Sequence, residues 1–201
     1  MRIARWVPPG SDLSIEDLWF YARAYAPWNV PAWADAAPTA EVIARARQLP
    51  RGRALDLGAG FGRDTLALAR LGFDVTGLDR SRRAVRSARR AARGLDSSKV
   101  RFVTGRLSSF RSRERFDLVI DVLGPLSDLE PSLRAAAFEH LSGLTSATAR
   151  VLVVTFDPNE LVRAARPFFG LAAQRELSAT PGALVWLELV RVSDGSRARR
   201  D

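Results

Sequence analysis

The chain has 201 residues, 47% of them hydrophobic and 26% charged, which fits one globular domain with at most a small appendage and excludes a disordered or fibrous chain. It has no Cys, which excludes a disulfide framework, a thiolate metal site and a cysteine nucleophile, and a single histidine, His140, which argues against a multi-His metal centre and a His-based triad. The formal net charge is +9, yet Arg80–Arg115 holds 13 Lys/Arg against 2 Asp/Glu and the rest of the chain is slightly acidic.

Residues 1–40 form a distinct region. Four of the five Trp (Trp6, Trp19, Trp28, Trp33) lie there with Tyr21, Tyr25 and five Pro. Ser14 is placed to cap a helix running to about Ala24, and a proline-punctuated loop over 26–33 follows. Such a loop, rich in Trp, either packs onto the domain or roofs a small-molecule pocket as a lid. Thr39 is expected to cap a helix through about Leu49.

From residue 53 the pattern alternates. Short apolar runs at 53–57, 73–78, 100–104, 116–120 and 150–156 read as strands, the later ones continuous enough to be buried on both faces. Helical patterns at 62–71, 81–93, 131–142 and 159–166 separate or follow them. Two further strand-like runs, 171–177 and 184–192, flank a turn at 179–182 and predict an antiparallel edge hairpin. The fold class is therefore α/β: a doubly wound, mostly parallel sheet of seven strands with an antiparallel last strand. The domain spans 41–192, and 193–201 reads as a flexible basic tail. No apolar leader opens the chain and no run of 18 apolar residues occurs, so a cytoplasmic protein without membrane contact is expected.

The helix over 81–93 places Arg82, Arg83, Arg86, Arg89, Arg90 and Arg93 in an arc of about 120°, with Ala84, Val85, Ala88, Ala91 and Ala92 opposite. Two readings stand side by side: a solvated face in an Arg-rich protein, or a surface for an anionic partner.

The most informative stretch is Leu55-Asp56-Leu57-Gly58-Ala59-Gly60-Phe61-Gly62-Arg63-Asp64. A strand runs into a glycine loop and then into a helix, so the backbone can approach a ligand closely and the helix amides point at it. Asp79 ends the second strand, where an acid hydrogen-bonds a ribose diol in nucleotide-type folds. The spacing Gly-x-Gly-x-Gly preceded by Asp56 departs from the dinucleotide fingerprint, and no Gly-Lys-Ser/Thr occurs, which excludes a phosphate-binding P-loop.

On Asp56, Gly58, Gly60 and Gly62, on Val75–Asp79 with Arg80 and Ser81, and on Phe116–Asp121, the chain resembles the class I S-adenosylmethionine-dependent methyltransferases. The resemblance implies a Rossmann-like methyltransferase fold over 41–192 with residues 1–40 as the lid. It implies S-adenosylmethionine as cofactor and S-adenosylhomocysteine as product. Asp56 and the loop Gly58-Ala59-Gly60-Phe61-Gly62 would hold the methionine end, Asp79 the ribose, and Arg80, Arg106 and Leu107 the adenine. Asp121 would lie near the methyl group as a cofactor contact and the one carboxylate nominated for catalysis, unless it is a capping acid. Tyr21 is the second catalytic candidate, and Tyr25, Trp28 and Trp33 are the substrate-binding ones, with simple packing the alternative for the tyrosines. No metal is expected.

More narrowly, Gly62–Leu68, Pro27-Trp28-Asn29 and Glu130-Pro131-Ser132-Leu133-Arg134 look like the thiopurine, halide, thiol and tellurite methyltransferase group. That implies a small-molecule acceptor, with a nucleic-acid partner not expected and the oligomeric state open between monomer and homodimer. The alternatives are an RNA methyltransferase or RNA-binding protein using the Arg helix, and a cofactor-binding protein that has lost methyl transfer. Three departures bear on this. Arg106 stands where the family has an acid that accepts from the adenine amino group, and Arg accepts nothing. Arg80 replaces an apolar residue over the adenine, where a guanidinium can stack. Thr145–Thr148 replaces the usual Pro-Gly-Gly. Asp157 and Glu160 read as capping acids, and His140 as a packed or surface histidine.

Overall fold

A computed structural model describes residues 39–177 and 184–192. The expected N-terminal helix and aromatic loop, the 179–182 turn and the basic tail lie outside these residues. So do Tyr21, Tyr25, Trp28 and Trp33.

Among the described residues the elements run in chain order: α1 (Ala40–Arg47), β1 (Arg53–Leu57), α2 (Arg63–Arg70), β2 (Asp74–Asp79), α3 (Arg82–Ala91), β3 (Val100–Thr104), a 3₁₀ turn (Leu107–Ser109), β4 (Phe116–Val122), α4 (Pro125–Asp128), α5 (Pro131–Leu144), β5 (Thr145–Thr155), α6 (Pro158–Ala165), β6 (Phe169–Glu176) and β7 (Val185–Arg191). One seven-stranded sheet has the order β3-β2-β1-β4-β5-β7-β6. The first five strands are mutually parallel, and β7 runs antiparallel to both of its neighbours. This is the expected α/β architecture. Within the expected antiparallel edge pair, β7 lies between β5 and β6, so β6 forms the outer edge. The sequence carries the reason, because Val185–Leu189 is buried throughout whereas β6 is mostly exposed.

Alternation along each strand splits the core. Leu55, Leu57, Leu78, Val119, Val151 and Leu187 face α5 and α6 and pack with Phe138, Leu141 and Leu161. Ala54, Val75, Leu118, Ile120, Leu152 and Trp186 face the opposite way, with Val42, Ala46 and Leu68 of α1 and α2. A sheet covered on both faces is what lets its strands be continuous apolar runs. It also leaves the carboxyl ends of the strands as the natural concavity.

Two local expectations change. Thr39 occupies the N-cap of α1, but its hydroxyl makes no cap; its amide donates to Asp64 Oδ1 at 2.6 Å and its hydroxyl to Oδ2 at 3.1 Å. The start of α1 is thus stitched to the first turn of α2. The missing Pro-Gly-Gly also has a structural outcome. α5 passes into β5 at Thr145 with no intervening loop, and the β4–β5 register jumps from Phe116↔Thr145 to Leu118↔Arg150. Residues 146–149 take up the excess, and the regular ladder resumes at Arg150, where the sequence pattern places the strand start.

The buried Glu188 of β7 fastens α1 to the sheet. Its two oxygens accept from Arg45 Nε at 2.8 Å and Nη2 at 2.7 Å, and Arg150 approaches at 3.4 Å. A bidentate guanidinium is the geometry that makes a desolvated pair worthwhile. Arg45→Met strands Glu188 with only the longer Arg150 contact, so a loss of about 3 kcal/mol, the low end for breaking a buried pair, is expected in urea unfolding. A change below about 1 kcal/mol would show that Arg150 alone satisfies the carboxylate.

Candidate functional site

The site is built at the carboxyl ends of β1, β2 and β4. After Leu57 the chain turns through Gly58, Gly60 and Gly62, with φ of +70°, +54° and +90°. Residues with a Cβ rarely hold this left-handed conformation. The turn is closed against β2: the amides of Gly58 and Ala59 both donate to the Leu78 carbonyl, at 2.9 and 3.0 Å. Space demands glycine as well. A Cβ on Gly58 would meet Pro125 Cδ at 2.9 Å, and one on Gly62 would meet the Phe102 ring at 2.8 Å. Gly62 is the N-cap of α2, so that helix opens directly from the loop.

Asp79 is the pivot of this arrangement. Its Oδ2 accepts from the Gly60 amide at 2.8 Å and its Oδ1 from the Ser81 amide at 2.7 Å. Burial pushes its carboxyl up from the ordinary range, opposed by those two amides and by the Arg80 charge. Each carboxylate oxygen has a second lone pair, so the paired hydroxyls of a ribose can be received without breaking either amide bond. The residues present fit a nucleoside on this observation.

Asp56 lies on the same face of the sheet, buried, with Thr65 Oγ1 of α2 donating to it at 2.5 Å. Burial first, then the charge of Asp64, raises its pKa to about 8, against the Thr65 hydrogen bond. Asp121 is fully buried on the other face, accepting from the Leu126 amide at 3.0 Å through Oδ2, while Oδ1 has no well-formed hydrogen bond. Burial holds its pKa well above the usual range, with the nearby Gly124 and Leu126 amides opposing. The geometry is that of the capping acid, since it ties down the turn into α4.

That turn is itself constrained. Leu123 has φ +50°, and a Cβ on Gly124 would strike Asp121 Oδ1 and the Leu57 carbonyl. Arg134, buried at the start of α5, donates to the Ser127 carbonyl at 3.0 Å, the Leu129 carbonyl at 3.0 Å and Asp157 Oδ2 at 2.6 Å. It thereby fixes α4 and joins it to the loop after β5. Asp157, expected as a helix cap, makes no cap bond and serves this clamp, and Glu160 pairs with Arg163 at 3.0 Å.

At the end of β3 the Arg106 carbonyl is occupied by the Phe110 amide at 3.0 Å and by Ser109 at 3.2 Å. It is therefore a poor substitute for the missing acid. The Leu107 side chain is buried in one cluster with Leu78 and Phe110. The His140 Nε2–H donates to the Phe110 carbonyl at 2.9 Å, so this side chain pins the 3₁₀ turn to α5. Among the described residues no cluster of metal-ligating side chains occurs and no helix is long and apolar enough to cross a membrane.

Sheet order, antiparallel β7 and a glycine loop tied to an acid at the end of β2 together define the class I methyltransferase fold. Residues 54–148 match the family model described as "Methyltransferase domain". The 1,6-didemethyltoxoflavin-N1-methyltransferase of Burkholderia thailandensis superposes with a TM-score of 0.72 at 20% identity, covering 92% of this chain and 93% of that one. The magnesium protoporphyrin IX methyltransferase of Synechocystis PCC 6803, crystallised with bound S-adenosylmethionine, gives 0.69 at 18% identity over 90% and 100%. In sequence, the 23S rRNA (uracil(1939)-C(5))-methyltransferase RlmD of Shewanella sp. (strain W3-18-1) is 38% identical over 115 residues, 57% of this chain. This chain spans about a quarter of the length of that curated relative, 24%.

The raised Asp56 pKa has a consequence for stability. A carboxyl that binds its proton more tightly when folded contributes stability fully present below its unfolded pKa of about 3.9, and lost as pH rises through about 8. The ligand-free protein is therefore expected to lose stability from about pH 4 to pH 8, Asp79 and Asp121 adding in the same direction. Asp56→Asn should flatten the fall in thermal midpoint over that window. An unaltered slope would show that Asp56 is ionised at low cost.

Proposed function

We propose that the protein transfers a methyl group from S-adenosylmethionine to a small-molecule acceptor. The observation that carries the reading is Asp79, held by the Gly60 and Ser81 amides with lone pairs to spare at the mouth of the glycine loop. The cofactor supplies an electrophilic methyl on a sulfonium centre, and the chain's residues bind, orient and exclude water. Asp79 receives the ribose hydroxyls, and the Gly58–Gly62 loop borders the methionine end, backed by Asp56 and Thr65. Arg80, Arg106 and Leu107 bound the adenine region, with Ser108, exposed there, as the acceptor replacing the family's acid. Tyr25, Trp28 and Trp33 are proposed to cover the acceptor as a lid, with Tyr21 a donor within it.

Proton removal plays a small part in this mechanism. His140 is committed to the Phe110 carbonyl, and Asp121 is buried against its own turn. An acceptor that is already nucleophilic, a thiol, selenol or halide, needs alignment and desolvation, which can supply about 7–11 kcal/mol of barrier reduction. The resemblance to the thiopurine, halide, thiol and tellurite group supports the same choice.

A second reading, an RNA base as acceptor, is favoured by the rRNA methyltransferase relatives. Methylation at C5 of uracil counts against it. That carbon becomes nucleophilic when a side-chain nucleophile adds to the ring, ordinarily a thiolate, and these 201 residues contain no Cys.

Two measurements test the proposal. Asp79→Ala should weaken S-adenosylmethionine binding at least about tenfold in calorimetry, as loss of charge-assisted hydrogen bonds requires; equal affinity refutes the assignment. With labelled cofactor and an acceptor library read by mass spectrometry, Asp121→Asn should slow turnover far less than the roughly 10²–10⁴-fold of a lost acid–base group. A bell-shaped pH profile abolished in that variant would move the acceptor to oxygen or nitrogen.

A further inference from the structure

The basic excess between Arg80 and Arg115 is not absorbed by the methyl-transfer site. The structure gathers it on both flanks of one sheet edge. On one flank, α3 buries Ala84, Val85 and Ala88 and presents Arg82, Arg83, Arg86, Arg89 and Arg90 outward, with Arg93 exposed just past its end. Arg89 reaches over the edge strand to donate to the Phe102 carbonyl at 2.6 Å. Arg82, Arg83, Arg86, Arg90 and Arg93 pair with no acid among the described residues, although nine other ion pairs are present there.

On the other flank, a groove of about 650 Å³ runs along β3, lined by Arg101, Arg111 and Arg113 and by the apolar Leu78, Val103 and Phe110, of which Leu78 and Phe110 are themselves buried. Glu114 is its one acid, at 3.3 Å from Arg101. Gly105 lies in the same groove, and its amide donates to the Asp79 carbonyl at 3.0 Å, so the groove ends beside the site.

We propose that this edge, from the outer face of α3 across Arg89 into the β3 groove, is a docking track for the phosphate backbone of a nucleic acid. The choice of occupant rests on what the surface lacks. The exposed large apolar side chains among the described residues are Leu123, Leu133, Phe156 and Leu171, none of them on α3, β3 or the groove. A protein partner needs an apolar centre to its interface, and a membrane-surface helix needs apolar side chains to insert. A phosphate backbone needs only donors along a line, and this edge offers guanidinium groups and hydroxyls over roughly 15 Å of helix. The contacts are to phosphate, so binding carries no sequence preference. The inference does not rest on the acceptor reading; a small-molecule methyltransferase and an RNA methyltransferase are both compatible with it.

The test is anisotropy of a fluorescein-labelled 20-mer of oligouridylate titrated with the full chain. Binding is expected at 50 mM salt, with a log K against log salt slope of about −2 to −4, the value for three to six phosphate contacts to a single strand. The triple variant Arg82→Gln/Arg86→Gln/Arg90→Gln should bind at least tenfold more weakly at 50 mM salt. Arg163→Gln, on α6, should bind as the parent does. Calorimetry with S-adenosylmethionine on the triple variant, expected unchanged, separates a lost track from a damaged fold or cofactor site. No binding at 50 mM salt, a triple variant that binds like the parent, or equal affinity for polyglutamate or phosphatidylserine vesicles would each overturn the proposal.

Discussion

The bond from the Gly60 amide to the Asp79 carboxylate organises the end of the sheet at which the candidate site lies. It joins the turn after β1 to the tip of β2, and it can form only because the loop passes through left-handed backbone at Gly58, Gly60 and Gly62. Once the loop is held there, the first turn of α2 follows at a fixed place. Thr65 then reaches Asp56, and Asp64 receives the start of α1. Gly58 lies against Gly124 and Pro125, which transmits the same position to the β4–α4 turn. A single backbone amide therefore sets the relation of three strands' ends to one another.

The cost of that arrangement is electrostatic. Asp56, Asp79 and Asp121 are buried at the ends of adjacent strands, and burial raises all three pKa values. Meanwhile the chain's surplus positive charge lies on the outer edge of the same sheet, beyond β2. Acidic interior and basic rim are thus separated by one strand rather than mixed. Asp56 and Asp79, buried on one face with a few hydrogen-bond donors each, are well matched to a ligand that brings a positive sulfonium and ribose hydroxyls.

The order of elements, the parallel sheet and the residues of the glycine loop were legible in the sequence because each is a local pattern: apolar run, glycine spacing, acid at the strand's end. Asp79 was legible for the same reason. The position of β7 was not, because insertion between β5 and β6 is decided by which run is more thoroughly apolar once both compete for one edge. Asp121 shows a different limit. Its place at the end of β4 was evident, but side-chain alternation turns it to the face opposite Asp56 and Asp79, where it holds the Leu126 amide. Arg134 was seen as part of a motif, yet its three partners come from residues 127, 129 and 157, and no spacing rule brings those together. Thr39 kept its N-cap position and lost its cap function to Asp64, a contact across 25 residues.

Rigid positioning is the common property of the residues around the β4–α4 turn, and it has a source. Leu123 is held at φ +50°, a conformation that a leucine adopts only when its surroundings over-determine it. Those surroundings are identifiable: the Leu123 amide donates to the Val154 carbonyl at 2.9 Å, Asp121 fixes the Leu126 amide, and Arg134 locks the carbonyls of Ser127 and Leu129. A turn held on four sides has little freedom to adapt to a bound group, so what binds beside it must fit the existing shape. The chain has no cysteine and its one histidine is engaged in holding a loop, which is why the proposal assigns alignment of the reactants to shape. The strain at Leu123 and the clamp of Arg134 are what the proposed mechanism of placement would require of this turn.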